Sequence, residues 1–212
     1  MQKRLLTFVE DFYEDLELWY PKLRLEEEGF GLTLAAPALK IYRGKHGYPA
    51  TADALIAEVK CLDFCGLLIP GGFMPDKLRR DGRVLALTRE FHEQGKLVAF
   101  ICHGGWIPIS ANILHGKRAT GSLGIKDDLE NAGATWVDEP VVLDGNLLSS
   151  RTPLDLPHFA RAMVEFLSPV PVTAAHPAAP LLATQAKPGA APQEHLEGVF
   201  KLNPSLVKKI SH

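Results

Sequence analysis

The stretch V-A-F-I-C-H-G-G-W, Val98 to Trp106, decides how the chain reads. A short apolar run ends in a cysteine, a histidine and two glycines, and an amphipathic segment, Ile107 to Leu114, follows at once. The pattern is strand, sharp turn, helix. A nucleophile at such a turn is lifted above the end of its strand. It also sits near the amino end of the next helix, where unpaired N–H groups and the helix dipole favour thiolate over thiol. The glycines after His103 admit a second backbone or a substrate. With cysteine in place of serine, this is the physics of a nucleophile elbow, and Cys102 is the first candidate for chemistry.

Moving outward toward the amino terminus, Leu97 to Ile101 is the strand that feeds the cysteine, and Asp81 to Gln94 is a helix ended by Gly95. Phe64 to Ile69 is a strand stopped by Pro70-Gly71-Gly72, and Leu32 to Ala36 is a further apolar run. Lys40 to Tyr48 carries G-K-H-G-Y, a tight turn between extended pieces. Lys3 to Val9 reads as a buried first strand, followed over Glu14 to Glu28 by a helix with Leu16, Trp19, Leu23 and Leu25 at helical spacing.

On the other side come a short strand near Ala119, a helix from Asp127 to Ala132, and extended runs at Thr135 to Val137, Val141 to Leu143 and Leu147 to Ser149. Asp144-Gly145-Asn146 is a strong hairpin turn. Pro153 to Leu167 closes the domain as a helix with Leu156, Phe159, Ala160, Met163 and Leu167 on one face. The alternation implies an α/β fold, a mostly parallel sheet with helices on both faces. Such sheets bind ligands at the carboxyl ends of their strands, so the two glycine turns, Pro70-Gly71-Gly72 and Cys102-His103-Gly104, are expected to face one another across a pocket.

With 212 residues, 46% of them hydrophobic, the chain can bury one full core, placed here in residues 1–168. Residues 169–212 read as a Pro/Ala-rich extension. Six of the chain's 16 prolines fall between Pro169 and Pro192, a linker-like composition, and Leu196 to Ile210 recovers enough apolar residues for a short terminal helix. A net charge of −2 gives no electrostatic case for nucleic acid or an anionic membrane, so small molecules or proteins are the expected partners. No stretch is long enough to span a bilayer. At the amino terminus, M-Q-K-R-L-L-T-F-V-E-D turns acidic too soon for a signal peptide. Three cysteines, an odd number, argue against a disulfide framework and for a reducing compartment, and a cytoplasmic location is expected.

Each candidate has a plainer reading. A free cysteine is often buried and inert, but C-H-G at a strand end favours a reactive Cys102. A residue next to the nucleophile often points away from it, so His103 is equally a general base or a neighbour contributing only its amide. Glu14 can merely open its helix, complementing the dipole. Cys61 and Cys65 lack metal-ligand spacing, the histidines are dispersed, and no metal or cofactor is expected.

Six segments together resemble the ThiJ/PfpI family, the Parkinson-disease-protein superfamily of class I glutamine-amidotransferase-like folds, and above all its intracellular-protease branch. They are Y-E-D-L-E-L (Tyr13 to Leu18), G-K-H-G-Y (Gly44 to Tyr48), L-L-I-P-G-G (Leu67 to Gly72), I-C-H-G (Ile101 to Gly104), I-K-D-D-L-E-N-A-G-A-T-W-V-D (Ile125 to Asp138) and D-G-N-L-L-S-S-R-T-P-L-D-L-P (Asp144 to Pro157). The resemblance implies a flavodoxin-like three-layer sandwich, a nucleophilic Cys102, a carboxyl from Glu14 contacting the sulfur, and an oxyanion pocket from backbone N–H near Gly71, Gly72 and His103. A carboxyl beside a thiolate would be pushed toward its neutral form and could then donate a hydrogen bond to S⁻. The resemblance further implies a homo-oligomer, dimer or higher, in which an acid from another subunit completes a Cys-His-acid triad. Asp76 holds the matching position, one methylene shorter than the expected Glu, and Gly105 stands where the branch commonly has proline.

The leading expectation is a cysteine-dependent enzyme acting on a carbonyl electrophile. Its substrate is a peptide, or a small oxo-aldehyde as in a cofactor-free glyoxalase or deglycase, with a role in stress protection. The alternatives are a redox-sensing stress protein or chaperone that oxidises Cys102 without turnover, and an interaction protein whose tail carries the specificity.

Overall fold

The computed structural model describes residues 3–168, so the extension and its terminal helix lie outside the described residues. The elements run in the order β1 (Arg4–Phe8), α1 (Asp15–Glu27), β2 (Gly31–Ala36), β3 (Ile41–Arg43), β4 (Pro49–Thr51), β5 (Ala54–Leu55), β6 (Gly66–Ile69), α2 (Met74–Leu78), α3 (Gly82–Glu93), β7 (Leu97–Ile101) and α4 (Trp106–Ser110). They continue with β8 (Arg118–Ala119), α5 (Lys126–Asn131), β9 (Thr135–Trp136), β10 (Val141–Asp144), β11 (Leu147–Ser150) and α6 (Leu156–Leu167).

Seven strands form one sheet in the order β10-β11-β7-β6-β1-β2-β5, parallel throughout except for β10 against β11. All five residues of β7 are buried to zero exposure, as a strand covered on both faces must be. This is why it reads as an unbroken apolar run. Helices supply the outer layers, α1 packing on α6 and α3 on α4 and β7. The result is the expected flavodoxin-like α/β sandwich. Strand order reverses at β1, which has β2 on one side and β6 on the other. A crevice opens at such a reversal, and the segments leaving β1, β6 and β7 converge there.

Local chemistry sets the boundaries. The Asp81 carboxylate accepts the Arg83 N–H at 2.8 Å and caps α3. The chain leaves α3 through Gly95 at φ +67°. Three details depart from the sequence reading. The helix expected over Ile107 to Leu114 ends at Ser110, and Asn112, at φ +56°, turns the chain away. Ala119 and Thr135–Trp136 pair with each other as a separate parallel ribbon, outside the main sheet. The five-residue α2 and two-residue β5 are too short for periodicity to reveal.

Candidate active site

Cys102 sits at φ +58°, in the left-handed region where a side chain costs roughly 1–2 kcal/mol. Neighbouring glycines and one hydrogen bond hold it there. A Cβ on Gly104 would lie 2.4 Å from the Ile69 carbonyl oxygen, and the Ser122 N–H donates to the Cys102 carbonyl at 3.3 Å. Gly71 is the other tight point. A Cβ there would come within 2.9 Å of both the Cys102 Cβ and the His103 nitrogen, and within 2.7 Å of Glu17 Oε2. The two glycine turns therefore do meet. The loop after β1 is stitched to them through Glu14 N–H to the Gly71 carbonyl (3.2 Å) and Phe73 N–H to the Phe12 carbonyl (2.9 Å).

The acid at the sulfur is Glu17, which corrects the expectation for Glu14. Glu14 precedes α1 at its N-cap, and its buried carboxylate turns toward the G-K-H-G turn, where it pairs with Lys45 Nζ at 2.5 Å. Glu17 lies one turn further on, in the buried stripe it shares with Leu18, Pro21 and Leu25. It is fully buried, its Oε2 accepts the Gly71 N–H at 2.7 Å, and its carboxyl hydrogen-bonds with Cys102. Oε1 has no N–H or O–H partner. Burial, working against the Gly71 amide, pushes the carboxyl up to about 8. A glutamate on the apolar face of an otherwise ordinary helix was the signal for it in the sequence.

The thiol does not behave as a helix terminus alone would make it. Cys102 leads through a short 3₁₀ turn into a helix of only five residues, and burial, followed by the Glu17 charge, pushes the thiol up. The amides of His103 and Gly72 pull it back down. Two buried groups that repel as anions do not both ionise in the neutral range. When Glu17 keeps the proton, the repulsion is gone and the carboxyl becomes a donor to S⁻.

His103 does face the sulfur, with Nδ1 3.2 Å from Sγ. Burial, then the Lys45 charge, lowers its pKa, so it is neutral at neutral pH and able to accept the thiol proton. Of the three expected oxyanion donors, the Gly72 and His103 amides reach the sulfur. The Gly71 amide does not, because Glu17 has taken it. Asp76 is half exposed on α2 and bonds to Arg80, in the turn just past that helix, at 2.5 Å. Among the described residues, the charges acting on His103 are those of Lys45 and Asp128.

Lys45, read in the sequence only as part of a turn, stands among Glu14, Glu17, Cys102 and His103. Beside it, ligand atoms of Glu14, Asp15 and His46 lie within 4.8 Å of one another. Asp15 is occupied there by the His46 and Tyr48 N–H groups, each at 2.9 Å, and Glu14 by the ammonium, a donor set that does not favour a cation.

Comparison with known proteins bears on this geometry. Residues 3–166 match the model of the DJ-1/PfpI family. Deglycase PfpI of Pyrococcus furiosus is 41% identical over 164 residues, 77% of this chain and 99% of that protein. YraA of Bacillus subtilis, provisionally named a cysteine protease, is 41% identical over 168 residues, 79% and 99% of the two chains. Among solved structures, a two-domain protein of Anabaena variabilis with DJ-1/ThiJ/PfpI-like and ferritin-like domains superposes with a TM-score of 0.77 at 39% identity, covering 78% of this chain and 48% of that one. Drosophila melanogaster DJ-1beta gives 0.74 at 27% identity, covering 79% and 91%.

Proposed function

Because the chain belongs to the DJ-1/PfpI family, we propose that it is a cysteine-dependent enzyme whose Cys102 adds to the carbonyl of a small oxo-aldehyde. The observation that carries this reading is the buried Glu17 carboxyl against the Cys102 sulfur, with two backbone amides on the same atom. His103 takes the thiol proton. The sulfur then bonds to the aldehyde carbon, and the carbonyl π pair moves onto oxygen, where the Gly72 and His103 N–H groups and the Glu17 proton are at hand. Moving the proton of that carbon to its oxo neighbour gives the thioester of a 2-hydroxy acid. Water hydrolyses the thioester, releasing the acid and restoring the thiol.

The deglycase names of several relatives support a small carbonyl substrate, and clearing reactive aldehydes fits a role in stress protection. The exposed Leu16, Tyr20 and Leu23, spaced along one side of α1, support a homo-oligomer. Among the described residues no helix is long and apolar enough to cross a membrane.

The test is turnover of methylglyoxal and of a fluorogenic peptide by the native chain and by Cys102→Ser. Loss of methylglyoxal turnover in the variant is the expected result, and full retention refutes the mechanism. Peptide cleavage without methylglyoxal turnover selects the peptidase reading. No turnover at all, with Cys102 oxidised by peroxide ahead of Cys61 and Cys65, selects the redox sensor.

A further inference from the structure

The histidine at the sulfur needs something to hold its ring and balance its charge, and the expected acid, Asp76, is turned to Arg80. A different set of groups surrounds the ring. Trp106 opens α4 three residues after His103, and the two rings meet edge to face, with centroids 4.9 Å apart and planes at 68°. The indole Nε1 donates to Asp128 Oδ2 at 2.8 Å. From the other side, the Arg79 guanidinium lies 5.7 Å from the indole centroid, its own Nε donating to Ser110 Oγ at 2.8 Å. The indole is thus held by Arg79, at the C-cap of α2, and by Asp128 of α5, and an indole so held fixes the ring beside it. Gly124 lies toward His103 Nε2, where a Cβ would stand 3.5 Å off.

We propose that Trp106, anchored by Asp128, positions the His103 imidazole on Cys102, and that Asp128 supplies from the same chain the carboxylate expected from a neighbouring subunit. The charged and titratable groups facing His103 are the Cys102 thiol, Lys45 from the turn between β3 and β4, and Asp128 from α5. Burial and Lys45 favour the neutral ring, and Asp128 opposes them. The aromatic ring of Trp106 adds a surface that also favours the imidazolium. Once His103 has taken the thiol proton, both groups stabilise the cation left beside S⁻.

The inference rests on the reading of Cys102 as nucleophile and His103 as its base, and the measurements are chosen to be read without turnover. Imidazole NMR titration of His103, and the pH profile of Cys102 alkylation by iodoacetamide, are compared in the native chain, D128N, D128E, W106F and D76N. We expect His103 to titrate at lower pH in D128N, with the alkylation profile moving the same way, and D128E to restore both. W106F keeps an aromatic ring but loses the N–H, and should move both measurements in the same direction. D76N should leave them in place. Methylglyoxal turnover should fall about tenfold in D128N and W106F, the scale of a slightly misplaced catalytic group. A shift in D76N with none in D128N overturns the proposal in favour of the acid across an interface. A loss of turnover in D128N with His103 titrating unchanged overturns it in favour of a purely structural contact. An inactive native chain whose His103 still answers to Asp128 would defeat the proposed reaction and leave this inference standing.

Discussion

The two edges of the central sheet each present a cysteine, and only one of them is equipped for chemistry. At the amino edge, Cys65 enters β6 and its sulfur donates to the Arg4 carbonyl at 3.2 Å. An open hollow of about 660 Å³ lies beside it, lined in part by Lys3, Arg4, Asp53, Glu58 and Asp63. At the carboxyl edge stands Cys102. Its sulfur receives the amides of Gly72 and His103, and meets Glu17 and His103 Nδ1. Burial pushes both thiols up. The difference is polarity: a thiol giving its proton to a carbonyl is held as SH, whereas one surrounded by donors can be held as S⁻ once a neighbour takes the proton. Convergence of donors on one atom, more than the number of charges around it, distinguishes the edge proposed for the reaction.

The most direct way to break that comparison is to exchange the cysteines' roles. Cys102→Ser should lower kcat/KM for methylglyoxal at least about a thousandfold, as expected when a covalent nucleophile is lost. Cys65→Ser should leave it unchanged, and an inactive Cys65→Ser that still folds would erase the distinction. Next in size are the two acids on α1. Glu17→Gln keeps an acceptor for the Gly71 amide but cannot pass a proton, and should cost about a hundredfold in kcat, the low end for general acid–base groups. Glu14→Gln, which loosens the Lys45 and His46 contacts without touching the sulfur, should cost less than tenfold. Equal losses would mean that Glu17 has no special relation to the sulfur.

The same contrast explains what could be read from the sequence. The parallel sheet was legible because β6 and β7 are buried on both faces and therefore unbroken in their apolar runs. The elbow was legible because a cysteine followed by two glycines at a strand end has few other uses. Which of Glu14 and Glu17 reaches the sulfur was not, because both lie in Y-E-D-L-E-L and the answer depends on the rotation of α1 about its axis. That rotation is fixed by packing of Leu18, Pro21 and Leu25 against the rest of the fold, and Leu16 and Leu23, which the sequence shows only at helical spacing, are exposed. The reach of Asp128 through Trp106 to His103 was invisible for a related reason. It joins residues 22 apart on two short helices, whose spacing carries no periodic signal.

Glycine positions sharpen the comparison further. Gly71→Ala would put a methyl group on Glu17 Oε2 at 2.7 Å and on the Cys102 Cβ and His103 nitrogen at 2.9 Å, so one of the three must move. We expect roughly a tenfold fall in kcat/KM, with loss of the slow alkylation of Cys102 expected of a closely held sulfur. Gly82→Ala, at the start of α3 with nothing within 4 Å of the new Cβ, should leave activity intact and change stability by only a few tenths of a kcal/mol. If both variants kept full activity, close contact at Gly71 would not matter to the site.

The smallest effect is on stability, and it tests whether Glu17 carries a proton in the folded state. Its carboxyl titrates at about 8 in the fold, against an ordinary 4.5. Below 4.5 both folded and unfolded chains hold the proton, and the group adds no slope. Between 4.5 and about 8 only the folded chain holds it, so the unfolded state binds fewer protons and stability falls as pH rises. Above about 8 the dependence levels off. Glu17→Gln removes this term while leaving every other titrating group, so its thermal midpoint should gain on that of the native chain as pH goes from 5 to 8. The gain should be on the order of a few kcal/mol, or several degrees for a domain of this size. Cys65 at the amino edge offers no matching effect, because it stays protonated throughout that range. Parallel Tm curves for the two proteins would place a charged carboxylate beside the sulfur at neutral pH and remove the proton that the mechanism requires.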